Sequence, residues 1–356
     1  MSGSERSLRI AVCHPHTPFT RGGAEMHTDS LARALRDAGH ETEIVSIPWK
    51  WYPPSELVHQ MGLWRSLDLS EAGGRSIDMV IALRFPAYLV KHERKVVWLI
   101  HQHRTAYELW DHPQFADLSR HEDGAVVRDM IWQADRVGLG EAKRIFTNSG
   151  NVRDRLDATL GIPAEPLYHR SQMTERLLEE ESSPPGPYVL YPSRLEPIKR
   201  QRLVIEAMRM VRTPVRLVLV GGGFDEAALR RQIAEARLDD RVTLEGGVSD
   251  DRLSGLYREA LGVYYGPFDE DFGYVTLEAM AARRPLVVPR DSGGPLEFVR
   301  DGESGIVVDA EPEAIAASLD RLYGDRDEAA RMGEAGRAVL DRSVPQWPEV
   351  VSRLLS

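Results

Sequence analysis

Histidine is missing from the second half of this chain, cysteine is nearly missing from all of it, and no apolar run approaches membrane-spanning length. All 11 histidines precede Leu177, an asymmetry that suggests two units with different chemistry. The single cysteine, Cys13, lies in an apolar run; alone it excludes an internal disulfide, and its setting fits a reducing compartment. Positive charge is also short. Against 55 Asp and Glu stand 45 Lys and Arg, a formal net charge of -10, which excludes a nucleic-acid partner held by a general basic field. The opening MSGSERSLRIAVCHP lacks the basic start, long apolar centre and small-residue cleavage site of a signal peptide. A cytoplasmic protein is expected.

What is present is α/β alternation. The 356 residues suffice for two domains, each with its own core. LRIAVCHPHTP reads as a β-strand, RGGAEMHTDSLARALRDAGH as a glycine turn feeding a helix that Gly39 stops, and ETEIVS as the next strand. Strand, turn, helix, strand is the unit of a parallel sheet. DMVIAL, KVVWLI and RIFTNS continue it, with a helix over Asp129 to Gly138. At LLEEESSPPGP, Leu177 to Pro187, an acidic run gives way to serine, proline and glycine, a linker composition. Beyond it YVLYPSRL, VRLVLVGGG, RVTLEGG, LGVYYGP, PLVVPRD and SGIVVD predict six strands with helices between. The expected organisation is 1–176 as a Rossmann-like domain, 188–340 as a second, and 341–356 as a terminal helix packing back on the first. Two doubly wound sheets present ligands at their strand C-termini, with a cleft between the domains as the default site.

Single motifs are ambiguous. VLVGGGFDEAAL fails the dinucleotide fingerprint, because G-x-G-x-x-G would need glycine at Glu226, and a structural turn is the better reading. RGGAE, Arg21 to Glu25, either lets backbone approach a phosphate or merely joins strand to helix. Arg194 and Lys199 in PSRLEPIKR would straddle a diphosphate as fork and point charge, or would be a solvated pair. In DEDFGYVTLEAMA, Gly273 opens a helix whose free N–H groups near Phe272, Tyr274 and Val275 would favour an anion. Glu278 on that helix would accept from a diol such as ribose, and Glu270 from sugar hydroxyls; the bland alternative is an exposed acid above an apolar helix face.

Taken together, these segments resemble a family. EDFGYVTLEAMA is similar to the E-x7-E motif of retaining glycosyltransferases of family 4, which have the two-domain GT-B fold and nucleotide-sugar donors. RLEPIK resembles that family's R-L-x-x-x-K clamp, RVTLEGGVSDDRLSGLY its base-side loop, SGGPLEFVRDGESGIVV its G-G-x-x-E region, and GGAEMHTDSLARALRDAGHETEIV its first strand-turn-helix. The match is strong from Tyr188 to about Asp309 and good from Leu8 to Ser46.

The resemblance implies roles. Arg194 and Lys199 would bind the diphosphate, Glu278 the ribose, Val248 the base through backbone, and Glu270 with Phe272 and Gly273 the donor sugar. Gly22 and Gly23 would close over the donor, and His101, at the end of KVVWLI, would face its sugar. Charge growing on the departing diphosphate would be stabilised by Arg194, Lys199 and the helix start at Gly273 without a metal. For retention, front-face attack is implied, the leaving phosphate oxygen taking the acceptor proton. No cofactor is expected, the nucleotide-diphosphate sugar being a co-substrate.

Two departures stand out. Arg200 follows Lys199 where glycine is usual, and PLYHRSQM, Pro166 to Met173, replaces an interdomain N-G-x-D signature. The acceptor is expected to be a soluble hydroxyl compound bound by HQHRTAYELW, where His103 lies, Arg104 would offer a charge and Tyr107 a stacking surface. Residues 1–180 carry 22 Lys and Arg against 25 Asp and Glu, with only KHERK, Lys91 to Lys95, locally basic; peripheral membrane contact stays open. Rival readings are a metal-dependent glycosyltransferase using Asp269 and Asp271, a retaining glycosidase using two carboxyls about 5 Å apart, and a nucleotide-sugar binding protein without activity.

Overall fold

A computed structural model describes residues 6–356; Met1 to Glu5, part of the stretch read as lacking a signal peptide, lie outside the described residues. The chain forms two compact units. The first comprises the residues up to His169 together with Gln346–Ser356, and the second is Arg170–Pro345.

In the first unit the strands are β1 (Arg9–Cys13), β2 (Glu41–Val45), a small hairpin of β3 (Glu71–Ala72) and β4 (Arg75–Ser76), then β5 (Met79–Ala82), β6 (Lys95–Leu99), β7 (Arg144–Thr147) and β8 (Glu165–Pro166). Six of them make a parallel sheet in the order β2-β1-β5-β6-β7-β8. Successive side chains of a strand point to opposite faces, and β1 shows what this does. Ile10 and Val12 enter one core with Leu31 and Leu35 of α1 (Gly23–Asp37). Ala11 and Cys13 enter the other, with Leu57, Met61 and Trp64 of α2 (Ser55–Ser66) and Ile131 of α3 (Gly124–Gly140). A sheet covered on both faces needs strands without polar alternation, which is why these runs read as continuously apolar. Helix α4 (Gly150–Leu160) adds Val152 and Leu156 to the second core. The terminal helix α12 (Trp347–Leu355) adds Val350, Val351 and Leu354 to the first.

The second unit starts with α5 (Gln172–Glu179) and repeats the architecture with β9 (Tyr188–Pro192), β10 (Arg216–Val220), β11 (Val242–Gly246), β12 (Gly262–Tyr264), β13 (Leu286–Pro289) and β14 (Gly305–Val308). All pair in parallel, in the order β11-β10-β9-β12-β13-β14. The connecting helices are α6 (Gln201–Met208), α7 (Glu226–Glu235), α8 (Asp250–Glu259) and α9 (Tyr274–Ala281), followed by α10 (Pro312–Gly324) and α11 (Arg326–Ser343). The strand order reverses between β9 and β12, the switch point of a doubly wound sheet and the place where such sheets take ligands.

One boundary differs from the sequence reading. The break falls at His169 and Arg170, not near residue 176, because α5 belongs to the second unit. Its Met173, Thr174 and Leu177 are buried, and Arg176 pairs with Asp251 of α8 at 2.7 Å. The serine-proline stretch before β9 is therefore a connection inside the second unit. The basic segment Lys91 to Lys95 is also reduced by folding. Lys95 is fully buried, its ammonium donating to the carbonyls of Tyr88, Val90 and Gly138 at 2.8 to 3.0 Å. Burial lowers its pKa against the pull of Glu141.

Candidate active site

The second unit gathers its predicted residues at the C-terminal edge of β9 and β12. Arg194 follows β9; its side chain is about half exposed and its guanidinium meets Glu196 at 2.6 Å. The loop is held there by the glycines of VLVGGG, whose role the sequence left as a turn. A Cβ on Gly221 would meet the carbonyl oxygen of Ser193 at 2.0 Å, and one on Gly223 that of Leu195 at 2.3 Å, so only glycine allows the two loops to touch. The Leu195 amide donates to Gly222 and the Asp225 amide to Leu195 across that contact. The triplet thus positions Arg194 rather than a dinucleotide.

Lys199 closes the short turn Pro197–Lys199, and its ammonium pairs with the carboxylate of Glu270, both side chains mostly buried. Beyond Glu270 the chain reaches Gly273, whose φ of +82° is left-handed backbone, and α9 begins at Tyr274. Phe272 is buried beside Tyr274 and Phe298, with ring centroids 5.4 and 6.0 Å away. Val275 lies in the first turn of α9, and Val248, half-buried, in the loop between β11 and α8. Asp269 and Asp271 flank Glu270; among the described residues no group of three or more His, Cys, Asp or Glu forms a metal cluster.

Glu278 sits differently from its expected role. It is 5 % exposed and already accepts hydrogen bonds from Ser171 at 2.8 Å and Tyr257 at 2.7 Å. Burial raises its pKa, and those two hydroxyls offset part of the rise. A ribose diol at this carboxylate therefore competes with two existing donors. Ser171, which also caps α5 by accepting from the Thr174 amide at 3.0 Å, comes from the unassigned PLYHRSQM stretch. No spacing signal links it to a carboxylate 107 positions later.

Arg200 explains the departure from glycine. Its φ of +53° is the left-handed conformation that glycine adopts freely. For other residues this costs about 1–2 kcal/mol. The guanidinium donates to the carbonyls of Gly266 and Pro267 at 2.8 Å each and to both carboxylate oxygens of Asp291 at 2.7 Å. The two part-buried carbonyl contacts are worth about 1.5–3 kcal/mol each and the more exposed Asp291 pair about 0–1 kcal/mol, enough together to offset the backbone cost.

In the first unit, Gly22 and Gly23 come together with His101 through residues that the sequence reading did not select. Glu25 accepts from the Gly22 amide at 2.9 Å, lies 3.5 Å from His14 and 3.7 Å from Arg84. Burial alone would push its carboxyl up, but His14 and Arg84 hold it at about 2. Burial lowers the His14 pKa to about 4, and the nearby charge of His101 contributes. His101 lies two residues beyond β6, its Nδ1 donating to the Gln102 carbonyl at 2.6 Å. Glu25 was legible as the third residue after the turn, the spacing of a capping box; Arg84, which comes from the end of β5, carries no such local signal.

The acceptor residues require correction. Tyr107 is 6 % exposed, stacked on Trp132, and donates to buried Asp135 at 2.7 Å, so it offers no stacking surface. Arg104 meets Glu108, four positions on, at 2.6 Å, so its charge is already paired. His103 packs against Phe85 and Trp49, and burial lowers its pKa to about 3, with His101 adding to the effect. Asp135, which also accepts from Tyr88 at 2.8 Å, is pushed up to about 7 by burial against its hydrogen bonds.

Comparison with known proteins fits both units. Residues 175–339 match the family described as "Glycosyl transferases group 1", and residues 21–169 match "Glycosyltransferase Family 4". A D-inositol 3-phosphate glycosyltransferase from Xylanimonas cellulosilytica is 30 % identical over 98 % of this chain and 96 % of its own length. The chain belongs to glycosyltransferase family 4. Another enzyme of that description, from Nocardia farcinica, is 31 % identical over 64 % of this chain, a match spanning about half of the relative's length at 53 %. Among solved structures, a sucrose-phosphate synthase from Thermosynechococcus elongatus superposes with a TM-score of 0.77 over 98 % of this chain and 97 % of that one, at 18 % identity. Anabaena HepE in complex with UDP and glucose gives 0.69 over 98 % of each chain at 18 % identity. These likenesses place this family 4 member among GT-B folds. No described helix is long and apolar enough to cross a membrane.

Proposed function

We propose that this chain moves a sugar from a nucleotide-diphosphate donor to a hydroxyl acceptor with retention and without a metal. The reading rests on one observation: Arg194, the Lys199–Glu270 pair and the start of α9 share the edge of β9 and β12. Breaking the anomeric bond places charge on the departing diphosphate, and two cations with a helix N-terminus stabilise it where it develops. Lys199 holds Glu270 as a carboxylate partner, which suits Glu270 to orienting sugar hydroxyls rather than attacking carbon. The leaving phosphate oxygen takes the acceptor proton on the same face. Glu270 turns to Lys199 while Glu278 turns to Ser171 and Tyr257, an arrangement that argues against a carboxylate pair of glycosidase type. Within the first unit, His101 and the Gly22–Gly23 turn are linked through His14 and Glu25. A soluble polyol acceptor is supported by the slightly acidic first 180 residues and by relatives described as acting on D-inositol 3-phosphate.

The test is proton NMR of turnover with UDP-, GDP- and dTDP-sugars in EDTA, using myo-inositol phosphates as acceptors. A product with the donor's anomeric configuration is expected. Inversion, or activity abolished by EDTA and restored by a divalent cation, contradicts the mechanism.

A further inference from the structure

Three loops meet beside the Lys199–Glu270 pair, and Arg200 touches all of them. It lies at the junction of the Pro197–Lys199 turn and α6, in left-handed backbone. Its guanidinium reaches the loop after β12 through the Gly266 and Pro267 carbonyls and the loop after β13 through Asp291. The side chain is 15 % exposed and passes 5.8 Å from the Phe268 ring centroid. Main-chain bonds run alongside. Phe268 donates to Ile198 at 2.8 Å, Asp269 to Asp291 at 2.9 Å, and Glu270 to Ser292 at 2.9 Å. The residues on either side of this joint are Lys199 in the turn after β9 and Glu270 in the loop after β12.

A residue other than glycine persists in left-handed backbone only where its surroundings over-determine it. Here the over-determining contacts are those of the side chain, and they run to the segment that carries Glu270. We propose that Arg200 is a positioning residue: its fork bolts the loops after β12 and β13 to the turn bearing Lys199 and so fixes where the ammonium and carboxylate are presented to the donor. Glycine at this position would give the turn without the bolt. The inference rests on the donor-binding reading above.

The experiment compares the wild type with Arg200→Gly, Arg200→Lys and Asp291→Asn. Arg200→Gly suits the backbone conformation, so loss of fold does not obscure the result. Amide hydrogen exchange is measured without ligand, and calorimetry with UDP, GDP and dTDP and the matching nucleosides. In Arg200→Gly, exchange across residues 267–271 speeds up, and nucleoside-diphosphate affinity falls about tenfold with nucleoside affinity unchanged, the scale of effect expected from a small misplacement of charged groups. Asp291→Asn shows a smaller change of the same kind, and Arg200→Lys does not restore the wild type, since an ammonium cannot reproduce the fork. Wild-type exchange and affinity in Arg200→Gly overturn the proposal while leaving the donor reading intact. A wild type that binds none of the diphosphates overturns both.

Discussion

The two units share a doubly wound parallel sheet but hold their candidate residues in place by different means. In the second unit the cations come from one stretch, Arg194, Lys199 and Arg200 within seven positions, and Lys199 and Arg200 pair with Glu270 and Asp291, 71 and 91 positions away on neighbouring loops. In the first unit the joints collect distant chain. His14 after β1, Glu25 on α1, Arg84 after β5 and His101 after β6 meet around one glycine turn, and the 101–110 segment is tied down by Asp135 of α3. Similar topology thus supports a cation-rich stretch in one unit and, in the other, an ion cluster of comparable burial backed by the Asp135 anchorage.

The largest expected effect probes the buried anchorage. Burial pushes the Asp135 carboxyl from the ordinary aspartate value of 3.8 up to about 7. A raised carboxyl contributes stability that is full below the unfolded pKa and is lost as pH rises through the folded one. Between pH 5 and 8 the wild type should lose about 2 kcal/mol or more relative to Asp135→Asn, taking 1.36 kcal/mol per pKa unit. Urea denaturation of both proteins at the two pH values measures this. Parallel pH slopes for the two proteins would mean that Asp135 stays ionised and that the first unit resembles the second.

A somewhat smaller effect belongs to Glu278, the one buried carboxylate in the second unit's set. Glu278→Ala removes the acceptor of the buried Tyr257 hydroxyl, at about 1–3 kcal/mol, while Ser171 keeps Thr174 as a partner. Calorimetry with uridine and guanosine separates its two roles. If ribose displaces those donors, nucleoside affinity falls together with the denaturation midpoint; a fall in the midpoint alone would restrict Glu278 to holding α5, α8 and α9 together.

The smallest effect concerns the glycine turn. Glu25→Ala removes the acceptor of the Gly22 amide and should cost about 1 kcal/mol, the usual value of a helix cap. Thermal melting measures it, and the Glu25→Gln variant should recover part of the loss. Equal melting of all three proteins would show that the turn is held by main-chain geometry without the carboxylate.

These differences also explain what was legible. The second unit's residues sit in contiguous motifs, so RLEPIK and EDFGYVTLEAM could be read directly, and its six strands follow from uninterrupted apolar runs closed by glycine and proline. What could not be read was how folding uses the motifs: that Glu278 turns inward depends on Ser171 and Tyr257, which lie 107 and 21 positions away. In the first unit, Tyr107 and Arg104 look like surface residues because their segment is polar on paper. Asp135 and Trp132 lie a helix away, and no periodicity reveals that they enclose Tyr107. The boundary at His169 was missed for a similar reason, since a proline-rich stretch marks a turn in the chain and not the place where packing changes partners.

The central claim is that the edge of the second sheet is a diphosphate clamp. Calorimetric titration of UDP, GDP and dTDP into the wild type and the Arg194→Ala/Lys199→Ala double variant tests it. Two lost contacts at about 1.5–3 kcal/mol each predict at least a hundredfold weaker binding of whichever diphosphate the wild type takes, with its nucleoside bound as before. Equal loss for nucleoside and diphosphate, or no loss for either, would contradict the clamp.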